Sequence, residues 1–521
     1  MKFNRTQNAT RNIFFGIVLK IYQIIVPFVM RTIMIYYMGM EYLGLNSLFT
    51  SVLSVLNLAE LGVGSAMVFS MYHPIIVDDR ETIKSLMRLY RTYYRIIGLL
   101  IAVAGVILTP FIPHLIHGSV PAGMNVYILY LLNLAATVFS YWLFAYKNSV
   151  LDAYQRTDMV SKVTLVTNTI MYLLQAWSLI ALHNYYVYVM MALFGQCLTN
   201  ILTALVADKM YPDLKPGKSL DKLSVKKINQ RIKDLFTSKL GGMIVNSSDT
   251  LVISAFLGLT ILAEYQNYFY ILTAIMSMID VVFNSVTAGI GNSLIVESEE
   301  KNVGDLTKFT FVISWIASFA SACFLNLYQP FMALWVGKKY ILDYGIVVCL
   351  VIYFYVSEIN RVLNNYKDAG GIWHKDKYRT LVVSFVNLGL SLLTVKFLGL
   401  YGVVLSTVLA WVLVGMPWIF YNLFTTMFSM KHFKSYFSKV LLYLITTIGG
   451  CILTTFICSF VHLKLISTIF VRALICIVIP NFINLFVFRK QRELYETLEL
   501  INNMTNHKVK IIGRILSNRK A

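Results

Sequence analysis

The sequence predicts an all-α polytopic membrane protein. About fourteen transmembrane helices form two six-helix lobes related by an internal repeat, with two C-terminal helices added. Recurrent apolar runs, a one-sided distribution of basic residues and a self-similarity at one offset predict it. Of 521 residues, 58% are hydrophobic and 13% charged, against roughly 45–50% and about 25% in soluble domains. Mean hydropathy is +0.67. A soluble enzyme, a nucleic-acid-binding domain and a secreted disulfide scaffold fit that composition poorly.

The apolar runs lie near 12–38, 42–72, 92–113, 125–147, 163–182, 185–207, 236–258, 261–295, 309–328, 343–365, 380–399, 401–425, 440–461 and 466–488. Each is long enough to cross a hydrocarbon core of about 30 Å. The first is basic and then apolar over a long stretch without a small-residue cleavage site, which predicts a retained helix rather than a signal peptide.

The net charge is +20, and its placement separates a topology signal from a nucleic-acid patch. Numbering the connections alternately places 38 of the 45 Lys and Arg on one side, counting the segment ends that border it. Lys338, Lys339, Lys396 and Lys464 lie opposite, and Lys20, Arg31 and Arg472 lie within segments. The positive-inside rule then predicts both termini in the cytoplasm, and no nucleic acid is expected as a partner. Cys197, Cys323, Cys349, Cys451, Cys458 and Cys476 all fall in apolar segments without metal-ligand spacing. The eight His show no paired spacing either, so no metal and no cofactor is expected.

The longest connection, 208–235, opens with Pro and Gly. It then spaces Leu223, Ile228, Ile232 and Leu235 as an apolar stripe among basic residues. That pattern predicts an amphipathic helix on an anionic inner leaflet, and the basic tail reads similarly. The expected parts are an N-terminal lobe at 1–207, the linker at 208–235, a C-terminal lobe at 236–426, two further helices within 427–488, and a basic cytoplasmic tail at 489–521. Sliding the chain by 219 residues superposes Gly39 on Gly258, Leu43 on Leu262, Lys20 on Lys239, and Asn168-to-Leu174 on Asn387-to-Leu393. Agreement at one offset predicts a duplicated six-helix bundle. A weaker echo, GVGSAM at 62–67 against GIGNSL at 289–294, needs an insertion.

The two-lobe plan, the stretch YLGLNSLFTSVLSVLNLAELGVGSAMVFSMY after segment one and KNSVLDAYQRTDMVS leaving segment four resemble the polysaccharide (O-antigen and exopolysaccharide) flippases. These belong to the multidrug/oligosaccharidyl-lipid/polysaccharide exporter superfamily. The resemblance covers essentially the whole chain and lacks a sharp signature. It implies a non-enzymatic transporter that moves undecaprenyl-pyrophosphate-linked oligosaccharide from the inner to the outer leaflet of the bacterial cytoplasmic membrane by alternating access. A coupling ion, proton or sodium, is implied. So are membrane lipids, a polysaccharide polymerase and assembly proteins as partners. By resemblance to the lipid II branch, segments thirteen and fourteen are expected to border a groove for the lipid tail.

Ionisable residues in spanning segments cost roughly 2.5–3.5 kcal/mol each on insertion scales and are functional candidates by default. Lys20, Gln23, Pro27 and Arg31 recur at helical spacing and share one face. Segment seven carries Lys239, Asn246 and Thr250 on one face with Asp249 beside it. Arg31 lies eight residues before Gly39, about 12 Å from the outer end and too deep to snorkel easily. Lys20 and Lys239 are nearer the inner mouth, where snorkelling is the alternative. Lys147 and Arg361 sit at comparable depth, and Glu358 is placed to pair with Arg361. Together Lys20, Lys147, Lys239 and Arg361 are expected to form a basic ring for a pyrophosphate, with Arg31 further up. Glu60, Asp249, Glu264 and Asp280 are the coupling or counter-ion candidates, Asp249 first among them.

The external connections are too short for the catalytic domain of a membrane glycosyltransferase or polymerase, and there is no GxxxxGK[ST] loop for a nucleotide. A channel is disfavoured by the duplication. The rivals are a lipid II flippase, with the same pyrophosphate, and a cation-coupled multidrug exporter, which the basic face of segment one disfavours.

Overall fold

Backbone groups inside a bilayer find no water, so each apolar run must close its own hydrogen bonds as a helix. The computed structural model describes residues 5–504 apart from 119 and 122. It is 88% helical, with no strand among the described residues. The helices are α1 (Arg5–Tyr37), α2 (Met40–Leu56), α3 (Val63–Ile76), α4 (Arg80–Leu108), α5 (Val126–Trp142), α6 (Asn148–Ala153), α7 (Thr157–Ile180), α8 (Tyr185–Met210) and α9 (Lys222–Leu257). They continue as α10 (Leu259–Val296), α11 (Glu299–Trp335), α12 (Tyr344–Ala369), α13 (Trp373–Asp376), α14 (Arg379–Leu398), α15 (Leu400–Ala410), α16 (Met416–Thr426), α17 (Phe433–Ser459), α18 (Leu465–Phe488) and α19 (Arg492–Met504). Thirteen spans are long and apolar enough to cross a membrane, or up to 14 when the bent pair Val126–Trp142 and Ala145–Ala153 counts as one. This is a multi-pass membrane protein with the expected fold class.

Among the described residues, six of these helices carry side-chain caps at their first turns. Asp79, Asn125, Asn184, Asp221, Ser298 and Asp343 each accept a hydrogen bond from a first-turn amide, which satisfies donors the helix leaves open. The bonds from Thr82 also hold the Asp79 carboxyl below its ordinary range.

The chain divides into two compact units, Met1–Gln266 and Asn267–Ala521. In the first, α1 lies on α7, where the Tyr22 and Thr169 hydroxyls are 2.9 Å apart. Thr199 of α8 donates to Thr167 of α7 at 2.7 Å, and Asn200 donates to the Ser140 carbonyl at the end of α5 at 2.7 Å. Side-chain hydrogen bonds of this kind join helices that have no hydrophobic drive to associate in lipid. α9 packs along α2. At Gly44 an added Cβ would stand 2.1 Å from the Leu259 carbonyl oxygen, so Gly44→Ala is expected to lower thermal stability by about 1–3 kcal/mol through forced separation. A melting curve of the purified variant in detergent, unchanged from wild type, would refute that closeness.

In the second unit α11 is the central helix, with α12, α17 and α18 against it. Buried Ser314, Ala317, Ser318, Ser321 and Ala322 let these neighbours approach. Leu494 and Leu498 of α19 fold back against Phe311, Trp315, Tyr443 and Phe488. The amphipathic part of the expected tail thus packs on protein; the remainder lies outside the described residues.

Three features depart from the linear reading. Segment two breaks between α2 and α3 at Gly62, φ +88, while Gly289 and Gly291 lie inside unbroken α10. The GVGSAM/GIGNSL echo therefore has no structural counterpart. Segment four bends by 46° before Ala145, where Phe144 takes φ +58. The linker stripe is continuous with segment seven in α9, and part of it packs on protein. Ile228 is buried, Arg231 stands over the Phe69 ring at 4.6 Å, and the backbone and Leu235 crowd Gly62; Leu223 alone stays exposed. The repeat is visible locally. Gly39 (φ 107, ψ 172) and Gly258 (φ 93, ψ 172) make the same turn before α2 and α10, and Leu43 and Leu262 are both buried.

Candidate functional site

α1 orients its polar residues by the periodicity read from sequence. Tyr22 is spent on α7, and Lys20 lies some 200° around the helix from it at 100° per residue. Lys20 and Gln23 are exposed there, while Pro27 and Arg31 are half-buried. The Arg31 charge acts on the Tyr188 hydroxyl of α8, whose ring stacks on Tyr185 at 5.5 Å. The Arg31 charge thus reaches a tyrosine pair on α8.

Lys147 is ion-paired with Asp208 at the end of α8 and leaves only 12% of its side chain exposed; the Phe144 ring lies 5.3 Å below. Asp208 is 61 residues away in sequence, and nothing in its spacing announces the pair. Glu60 receives a 3.1 Å hydrogen bond from Tyr94, which in turn receives one of 2.5 Å from Tyr90. Asp249 and Glu264 are half-buried. Around Asp249, α9 buries Ser247, Ser248, Thr250 and Ser254, and Gln266 donates to Thr250 at 2.9 Å. The Lys239 and Asn246 side chains lie outside the described residues.

The second unit brings three of the sequence-flagged charges together. Arg361 grips Glu358 with two parallel bonds of 3.0 and 3.1 Å and pairs with Asp280 of α10 through its remaining arm. Glu358 is fully buried, whereas Asp280 keeps 45% of its side chain exposed. A bidentate guanidinium–carboxylate pair compensates the desolvation of both ions. Glu358 is therefore the fixed counter-ion and Asp280 the one with access to solvent. Lys147 and Arg361, placed in a basic ring from sequence, each carry a carboxylate partner.

A second charged network was not anticipated. Arg379, 2% exposed, holds Asp376 through bonds of 2.8 and 3.0 Å and Asn364 at 2.7 Å. Asn422 donates to Asp376 at 3.1 Å. Asn364, Asp376 and Arg379 fall in the 361–379 connection, where a basic residue reads as topology, and Asn422 comes from α16.

Beside Arg361's helix runs an apolar groove. Two cavities of about 680 and 590 Å³ share Tyr355, Val356, Val412 and Leu444 as walls. One reaches Tyr344 and Thr455; the other reaches Met430 and Phe433. From Phe433 to Thr455 along α17 is about 33 Å, the depth of a hydrocarbon layer. The walls are α11, α12, α17 and the segment α15–α16, which a π-helical turn at Trp411–Gly415 interrupts. α17 is segment thirteen, as expected. α18, segment fourteen, does not line the groove, because it is engaged with α11, where Trp315 donates to Asn481 at 2.7 Å.

No protein-family model matches this sequence, and no curated protein matches it. Solved structures match by shape. The lipid II flippase MurJ in an inward closed conformation is 14% identical, aligns over 92% of this chain and 99% of its own, and gives a TM-score of 0.64. An inward-facing multidrug resistance MATE family transporter of the MOP superfamily is 16% identical over 78% of this chain and 94% of its own, with a TM-score of 0.59. A MOP superfamily transporter from Pyrococcus furiosus, described as having a binding pocket of reverse polarity, is 13% identical over 82% of this chain and 97% of its own, with a TM-score of 0.53. At such identities the likeness is one of fold: this chain is built as the flippases and transporters of the MOP superfamily are.

Proposed function

We propose that this protein flips an undecaprenyl-pyrophosphate-linked oligosaccharide from the inner to the outer leaflet of the bacterial cytoplasmic membrane, for surface polysaccharide synthesis, by alternating access with both termini in the cytoplasm. The observation that carries this reading is the membrane-deep apolar groove adjoining the helix of Arg361. A polyprenyl chain needs an apolar track of that depth, and a pyrophosphate needs a guanidinium within reach of its headgroup. A soluble organic cation needs neither. Arg31 and Arg361 contact pyrophosphate oxygens at different stages of the cycle. Lys20 and Lys239 draw the headgroup in from the inner mouth, and Lys147 is held ready by Asp208. Asp280 is the counter-ion that substrate displaces, so its protonation or its capture of a coupling cation alters the grip of Arg361.

A lipid II flippase is the second reading, favoured by the likeness to MurJ; it uses the same groove and the same pyrophosphate. Native mass spectrometry of the purified protein with both lipids and a cationic dye in competition separates the cases. Preferential retention of the oligosaccharide lipid is expected, and retention of the dye alone would refute a lipid substrate. Val412→Trp, which places a large ring between the two halves of the groove, is expected to weaken retention of the lipid about tenfold, roughly the loss of 1.4 kcal/mol. Unaltered retention would remove the groove from the account.

A further inference from the structure

We propose that α4 and the bend of segment four form a binding site for the phosphate headgroup of an anionic phospholipid, with Arg91 and Arg95 as its cationic groups. The site lies apart from the groove and the Arg361 cluster, and it holds whichever lipid is flipped. At 100° per residue Arg88, Arg91 and Arg95 fall within an arc of about 60°, and Leu99 and Val106 continue the same line. All three arginines are exposed. Beyond Arg95 the large exposed residues of α4 are Ile96, Leu99, Leu100, Val103, Val106 and Ile107. One helix face thus passes from guanidinium to hydrocarbon within a turn, which marks the boundary between headgroups and acyl chains.

Arg88 is spent on the linker, where it donates to the Gly217 carbonyl at 3.2 Å. Arg91 and Arg95 make no salt bridge and no side-chain hydrogen bond among the described residues. Both charges act on the Tyr146 hydroxyl, so they converge on one place. Asp208 acts there too, but it is already paired with Lys147. An aromatic shelf adjoins the two arginines. The Trp142 indole N–H donates to the Arg95 carbonyl at 3.2 Å, and an added Cβ at Gly98 would stand 2.3 Å from the indole nitrogen. Gly98 therefore lets the ring lie against the α4 backbone. Phe139 meets Trp142 edge to face with centroids 6.4 Å apart, and Phe144, at φ +58, turns the chain at the end of the shelf. All three rings are exposed. Exposed aromatic rings of this kind lie at headgroup level, and a guanidinium takes a phosphate by two parallel bonds. A basic residue that serves orientation alone needs its charge but no seated ring beside it. A basic pocket between spanning helices, on the side rich in Lys and Arg, suits an anionic headgroup.

The test is native mass spectrometry of the full-length protein in mixed micelles of phosphatidylglycerol and phosphatidylethanolamine. Wild type is expected to retain phosphatidylglycerol preferentially. That preference should fall about fivefold in Arg95→Gln and about thirtyfold when Arg91→Gln is combined with it. Neither side chain holds another part of the protein, so both variants are expected to fold, which a melting curve checks. The single variant decides the matter if the double one unfolds. Lys215→Gln with Lys218→Gln removes the same charge from exposed positions of the linker and should leave the preference unchanged. Equal retention of the two lipids by wild type would overturn the site, as would a preference undiminished in the arginine variants. An equal loss in the lysine variant would overturn it too, because the preference would then belong to diffuse charge.

Discussion

Arg31→Glu is expected to abolish flipping while leaving insertion intact. Arg31 lies about 9 Å before the C-terminal end of α1 and is half-buried, where a guanidinium has to be held by protein rather than by headgroup water. Reversing the charge replaces an attraction for pyrophosphate with a repulsion, and like charges brought together cost several kcal/mol. A fall of at least about a hundredfold in flipping rate is expected, corresponding to about 2.7 kcal/mol. Arg31→Lys keeps the charge and loses the fork, so an intermediate rate is expected. Rate measurements in proteoliposomes holding equal amounts of folded protein decide the point, and wild-type flipping by Arg31→Glu would end the assignment.

The second large effect is on coupling. Asp280→Asn removes the exposed partner of Arg361 and leaves the buried pair with Glu358 intact, so folding is expected to survive. Substrate should bind at least as tightly, because one competitor for the guanidinium is gone. Flipping should lose its response to an imposed proton or sodium gradient. Glu358→Ala strands Arg361 with a single carboxylate in a buried setting and is expected to cost about 3–5 kcal/mol of stability. Comparing the two variants separates a mobile counter-ion from a fixed one. Gradient-driven flipping that persists in Asp280→Asn but vanishes in Asp249→Asn would move the coupling role to α9.

The spans were legible because hydropathy and length act locally. Gly39 and Gly258 were legible as a repeat because a turn at positive φ demands glycine in both halves. The break at Gly62 was not, since GVG within an apolar run carries no polar punctuation, and the similar GIG at 289–291 sits inside unbroken α10. The linker stripe reads as amphipathic from its spacing alone; its neighbour, the α3 face around Gly62 and Phe69, is a tertiary fact that periodicity does not contain. Glu358 and Arg361 are one helical turn apart, so their pairing followed from spacing. The contacts of Arg361 with Asp280 and of Lys147 with Asp208 span 81 and 61 residues, and only the fold brings them together.

The most direct test of lipid-linked transport is a reconstituted flipping assay. Undecaprenyl-pyrophosphate oligosaccharide is placed in the inner leaflet of liposomes, and its exposure to an external glycan-binding probe is followed over time. The account predicts protein-dependent exposure that is lost in Arg31→Glu and slowed in Val412→Trp. Exposure no faster than in protein-free liposomes, from protein shown to be folded and to export a cationic dye, would contradict it.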